Sequence, residues 1–143
     1  MAMVSEVLKE KGNKVIGVHP QATVYDAIEQ MVEHNCGSLL VMEDDDIAGI
    51  FTERDYLRKI ALQGRTSKTT AVQEVMTSPV VVVEAGAEID EALAMMTDRH
   101  IRHLPVVDEE RVVGVVSIGD LVKHKTKEQA FQIGYLEDYI GAR

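Results

Sequence analysis

Gly49-Ile-Phe-Thr-Glu-Arg-Asp55 and Gly114-Val-Val-Ser-Ile-Gly-Asp120 follow one pattern: a glycine, two apolar residues, a hydroxyl residue, two variable residues and an aspartate. The two stretches lie 65 positions apart, and the match runs well beyond them. At that offset Val18 to Ile60 aligns with Val83 to Lys125 without a gap. Eight positions are identical: Val18/Val83, Ala22/Ala87, Ala27/Ala92, Met31/Met96, Leu39/Leu104, Val41/Val106, Gly49/Gly114 and Asp55/Asp120. Ordinary composition would give about 3 by chance. The substitutions Val24/Ile89, Asp26/Glu91, Ile28/Leu93, Ile47/Val112 and Thr52/Ser117 keep their chemistry. Upstream, Val4-Ser-Glu-Val-Leu8 answers Val72-Gln-Glu-Val-Met76, with three extra residues in the first copy near Lys11-Gly12-Asn13. The chain is one unit written twice.

Each copy reads as β-α-β-β-α. Lys14 to Val18 and Val80 to Val83 are short β-branched runs. Thr23-Val-Tyr-Asp26 opens a helix, with Val24, Ala27, Ile28, Met31 and Val32 on one face; Ile89, Ala92, Leu93 and Met96 repeat the spacing. Ser38 to Met42 and Ile47 to Phe51 flank an acidic turn, as do His103 to Val107 and Val112 to Val116, so each pair reads as a hairpin. Second helices follow Thr52 and Ser117. A three-stranded sheet with two helices leaves one face uncovered. The expected fold is therefore α/β (α+β), two repeats packed sheet to sheet with pseudo-two-fold symmetry. Expected boundaries are repeat 1 at 1–63, a polar linker at 64–70, repeat 2 at 71–125 and a helical tail at 126–143.

The 143 residues are 45% hydrophobic and 27% charged, with mean hydropathy −0.06, an ordinary globular composition. No apolar run approaches the ~20 residues that span a bilayer. The first residues lack the basic-then-apolar order of a signal peptide. Cys36 is the single cysteine, so no internal disulfide forms. A cytoplasmic protein is expected. The net charge of −9 argues against nucleic acid or anionic membrane as a partner. Acid clusters at Glu43 to Asp46 and Asp108 to Glu110, whereas Arg54, Arg58, Arg99, Arg102 and Lys123 flank the repeated segments. An anionic ligand can be accepted there.

In each repeated segment the hydroxyl residue stands where strand turns into helix. There it caps the helix while the free N–H groups of the first turn suit a phosphate. The aspartate, one turn in, offers two acceptor oxygens to a ribose diol. Thr-x-x-Asp and Ser-x-x-Asp are also plain capping boxes, which is the structural alternative.

These segments, the paired β-α-β-β-α units and Ile101-Arg-His-Leu-Pro-Val-Val-Asp108 resemble tandem CBS domains, the Bateman-module family, over roughly Val4 to Lys125. The resemblance implies a stand-alone, non-catalytic regulatory module. It implies an adenine nucleotide (AMP first, then ADP, ATP, NAD or S-adenosylmethionine) bound in clefts between the repeats, with no catalytic cofactor. Asp55 and Asp120 would hold ribose, and Thr52 and Ser117 phosphate. Backbone at Val80-Val81, Lys14 to Ile16, Ser38 and His103-Leu104-Pro105 would frame adenine, with Arg54, Arg102 and His103 adding charge or donors. The copies differ: Gly37-Ser-Leu-Leu40 replaces Arg102-His-Leu-Pro105, and Ile118-Gly119 replaces Glu53-Arg54. The clefts should therefore differ in affinity, with the Asp120 cleft expected to be tighter. A ligand-free interaction module, or a regulatory fragment of a nucleotide-metabolising enzyme, is the alternative.

His100 and His103 lie three apart, but no metal-site context surrounds them. Cys36 reads as a small packing residue, and no set of residues suggests acid–base catalysis. Phe131, Tyr135, Leu136, Tyr139 and Ile140 keep helical spacing and suggest a homodimer contact, which the resemblance also implies. The protein target is not legible.

Overall fold

The computed structural model describes residues 2–12 and 14–140, with side chains through Gln129. It contains two three-stranded sheets and α-helices, so the mixed α/β class holds. The elements are α1 (Val4–Lys11), β1 (Gly17–Val18), α2 (Val24–Glu33), β2 (Ser38–Glu43), β3 (Asp46–Thr52), α3 (Glu53–Tyr56), β4 (Val83–Glu84), α4 (Ile89–Arg99), β5 (His103–Asp108), β6 (Arg111–Ser117) and α5 (Ile118–Ile140). One sheet runs β1-β2-β3 and the other β4-β5-β6, each with a parallel then an antiparallel pairing.

The duplication persists in fine detail. The hairpins break register at the same step, Val41/Met42 and Val106/Val107. Asn35 and His100, at matching positions after α2 and α4, both take left-handed backbone (φ 53° and 55°). Asp44, Glu109 and Glu110 are also left-handed, as tight hairpin turns require. Thr23 caps α2 as expected: its Oγ1 accepts from Asp26 N at 3.0 Å, and Asp26 returns the bond to Thr23 N. Glu88 opens α4 without a side-chain cap.

The first strand of each repeat is shorter than expected, and the segments between and after the repeats carry regular structure. The runs at Lys14 to Val18 and Val80 to Val83 shrink to two paired residues each, because only Gly17–Val18 and Val83–Glu84 reach a neighbouring strand. The polar stretch 64–70 is ordered: Ser67–Thr69 forms a 3-10 turn, Thr70 is buried, and Thr70 O accepts from Val24 N at the start of α2. α5 runs unbroken from Ile118 through residue 140. The aromatic stripe from Phe131 to Ile140 lies outside the described side chains.

Compact units do not coincide with repeats. One unit is Lys14–Val81; the other joins Met1–Asn13 to Val82–Arg143. In the first, Val72 and Val75 are buried with Val24, Ala27, Met31, Leu39, Val41, Phe51 and Ile60. In the second, α1 sits on the later repeat: Val4 N donates to Ala87 O, and Ser5 N to Ala85 O. The exchange is symmetric in sequence. Val72 N donates to Ala22 O just as Val4 N does to Ala87 O. Gly49 faces Met76, and Gly114 faces Leu8, the corresponding residue of the other copy.

Candidate ligand-binding site

Each repeated segment makes a strand-to-helix corner. Ser38 is the register partner of Thr52, and His103 of Ser117. Beside these pairs, Glu53 N donates to Gly37 O and Ile118 N to Arg102 O, which ties the strand entry to the first helical turn in both copies. The hydroxyl residues are N-caps: Asp55 N donates to Thr52 Oγ1 at 3.2 Å, and Asp120 N to Ser117 Oγ at 3.0 Å. Both aspartates answer, Asp55 Oδ2 accepting from Thr52 N and Asp120 Oδ2 from Ser117 N. The capping boxes are formed.

Beyond the caps the copies diverge. Asp55 is buried, with a side chain 8% exposed. Its Oδ2 also accepts from Thr52 Oγ1 at 3.2 Å, and its Oδ1 accepts from Thr77 Oγ1 at 3.0 Å and Lys59 Nζ at 3.1 Å. Thr77 is pinned by a two-way backbone bridge to Ile50, and Lys59 Nζ also reaches Val75 O at 2.9 Å. Asp120 is 26% exposed, and its Oδ2 takes Lys11 Nζ at 2.6 Å together with Ser117 N. Lys11 Nζ also donates to Val115 O, the counterpart of Ile50 O in the Thr77 bridge. Burial pushes the Asp120 carboxyl up; the Lys11 hydrogen bond, the Ser117 N–H and the Lys11 charge outweigh it and leave it below the usual value of 3.8.

Sequence reasoning missed Lys11, Lys59 and Thr77. Lys59 stands four residues after Asp55 on helical backbone, a spacing that brings the two side chains together. Lys11 lies 109 residues from Asp120, and no local pattern joins them.

The other candidates divide between the units. Lys14, Ile16, Ser38, Thr52, Arg54, Asp55, Val80 and Val81 lie in Lys14–Val81; Arg102, His103, Leu104, Pro105, Ser117 and Asp120 lie in the other unit. Leu104 and Pro105 are buried in β5, and Val80 and Val81 are half-buried irregular backbone. Arg54 and Arg102 are exposed. Ile16 O accepts from Leu40 N, and Lys14 Nζ lies 3.3 Å from His34 Nδ1. Among the described residues no group of three or more His, Cys, Asp or Glu is arranged to hold a metal ion, and no helix is long and apolar enough to cross a membrane.

The CBS-domain family model matches twice, over residues 4–62 and 72–127. The chain belongs to the CBS-domain family. It is 41% identical over 146 residues to the mitochondrial CBS domain-containing protein CBSX3 of Arabidopsis thaliana, covering 96% of this chain and 71% of the relative. A solved CBS-domain protein from Burkholderia ambifaria is 47% identical with a TM-score of 0.86, covering 90% of this chain and 96% of that one. A CBS domain pair solved in complex with 5′-methylthioadenosine and S-adenosyl-L-methionine shares the fold at TM-score 0.78 and 24% identity, covering 90% of this chain and 98% of that one. CBS pairs are regulatory modules, and that one neighbour of the same fold holds two adenosine-containing ligands.

Proposed function

We propose that this CBS pair is a non-catalytic, cytoplasmic regulatory module, working as a homodimer, that binds an adenine nucleotide and reports it to a protein target. AMP is the first candidate; S-adenosylmethionine, the ligand of a neighbour of the same fold, is the second. The observation that carries the reading is the Ser117–Asp120 corner. Its hydroxyl suits a phosphate, and its partly exposed carboxylate suits a ribose diol. Thr52 and Asp55 repeat the pattern with a more buried carboxylate. Arg102, His103, Leu104, Pro105 and Ser38 stand on or beside the strands leading to these corners, and Lys14, Ile16, Arg54, Val80 and Val81 complete the proposed set.

A second reading has a specific observation behind it. Both aspartates are already used in capping boxes, and a module that binds proteins without a ligand needs nothing more. Nucleotide binding separates the two. A nucleotide present at ~100 times its dissociation constant stabilises the folded state by about 2.7 kcal/mol. A thermal-shift panel of AMP, ADP, ATP, NAD and S-adenosylmethionine should show at least one adenosine ligand raising the melting temperature by several degrees, with guanosine and pyrimidine nucleotides doing less. No shift across the panel, and no nucleotide released from the denatured protein in mass spectrometry, would leave the interaction module as the reading.

A further inference from the structure

We propose that Lys11 competes with the ligand for Asp120 and so sets the affinity of that corner; this rests on the nucleotide reading above. A ribose diol gripped by a carboxylate donates to both oxygens. Oδ2 of Asp120 already accepts from Ser117 N at 2.8 Å and from Lys11 Nζ at 2.6 Å, and an oxygen has two lone pairs to give. The backbone donor belongs to the helix cap and stays. The ammonium sits on a flexible stem, 40% exposed, and can leave for water. Binding at Asp120 therefore exchanges a lysine for a hydroxyl.

The lysine belongs to the stretch where the first copy is three residues longer than the second, so the Asp55 corner has no counterpart of it. There the equivalent acceptor, Ile50 O, is bridged by Thr77 N, and the carboxylate is filled by Thr52, Thr77 and Lys59. These donors come from the cap, from a pinned backbone pair and from an adjacent helical turn. Were Lys59 to swing away, Asp55 Oδ1 would keep Thr77 and Oδ2 both Thr52 donors, so the buried carboxylate stays more fully occupied than that of Asp120. Lys11 is also the last residue of α1, followed by Gly12 at φ 97°, where the chain leaves one compact unit for the other.

Calorimetric titration of the full chain with adenosine and with AMP tests this. Lys11→Met should bind both more tightly, by a similar factor of about three to ten, the range of a partly exposed ion pair. In the parent, affinity for uncharged adenosine should rise with added salt, which screens the pair, and this rise should be absent in Lys11→Met. The salt series on the parent stands even if the variant folds poorly. Adenosine binding that is unchanged or weaker in Lys11→Met, with no salt-driven rise in the parent, overturns the proposal. AMP weakened while adenosine is unaffected overturns it too, making Lys11 a phosphate partner. A silent parent with a binding Lys11→Met supports it. If neither protein binds adenosine or AMP, the nucleotide reading itself falls, and the competition with it.

Discussion

Asp55 and Asp120 occupy the same place in the repeat, yet their surroundings assign them different work. Asp55 is enclosed, with its four acceptor positions taken by Thr52, Thr77 and Lys59. Asp55→Ala breaks the cap and strands a lysine against a carbonyl, so a loss of about 2–4 kcal/mol is expected in urea unfolding. Asp120 is held by Ser117 and Lys11 and is partly exposed, and its contribution should depend on pH. Its carboxyl lies below the usual 3.8 in the folded chain. Its stabilisation is therefore complete above that value and is lost as pH falls through the lower folded value. The stability gap between parent and Asp120→Asn should be constant from pH 7 to 5 and close below about pH 4. A gap that widens with acid would contradict the assigned direction.

Among elements, α1 shows most directly how the repeats are stitched. Val4, Val7 and Leu8 are buried, and Leu8 lies over Gly114, where a Cβ would come within 2.7 Å of its side chain. Met76 covers Gly49 in the same way, with a Cβ 2.5 Å from its sulfur and 3.0 Å from Thr77 O. The glycine that opens each repeated segment is thus a packing requirement, since β3 and β6 must let a leading segment cross them closely. Gly49→Ala meets backbone as well as a flexible side chain and should cost about 1–3 kcal/mol. Gly114→Ala meets only the Leu8 side chain and should cost less. Equal unfolding midpoints for the two variants would remove the distinction.

At the scale of the molecule, the folding unit and the repeated unit are cut at different places. The closed unit is Lys14–Val81, and it includes Val72 and Val75, which by sequence introduce the second copy. A fragment spanning residues 14–81 should therefore give a better dispersed amide spectrum than one spanning 1–63. The latter carries α1 without its partner β6 and lacks two valines of its own core. A well-ordered 1–63 fragment beside a disordered 14–81 fragment would show that the repeat is the folding unit after all.

The sequence by itself determined the duplication, the β-α-β-β-α order, the hairpins and the two capped corners, because each depends on contacts within a few residues or on matches repeated at an offset of 65. Thr23, Thr52 and Ser117 were legible as caps since their partners lie three residues on. Strand lengths at Gly17–Val18 and Val83–Glu84 were not, because pairing depends on a neighbour supplied from elsewhere in the chain. The order of the polar stretch at Ser67–Thr70 escaped for a related reason: Thr70 O is fixed by Val24 N, 46 residues earlier. Only the tertiary structure decided that each copy's leading segment covers the other copy's sheet, and that one aspartate is filled while the other is held by a single lysine. Lys11 and Asp120 are joined by an ammonium placed at the end of a helix 109 residues away, and no sequence periodicity encodes a contact made by folding two copies across each other.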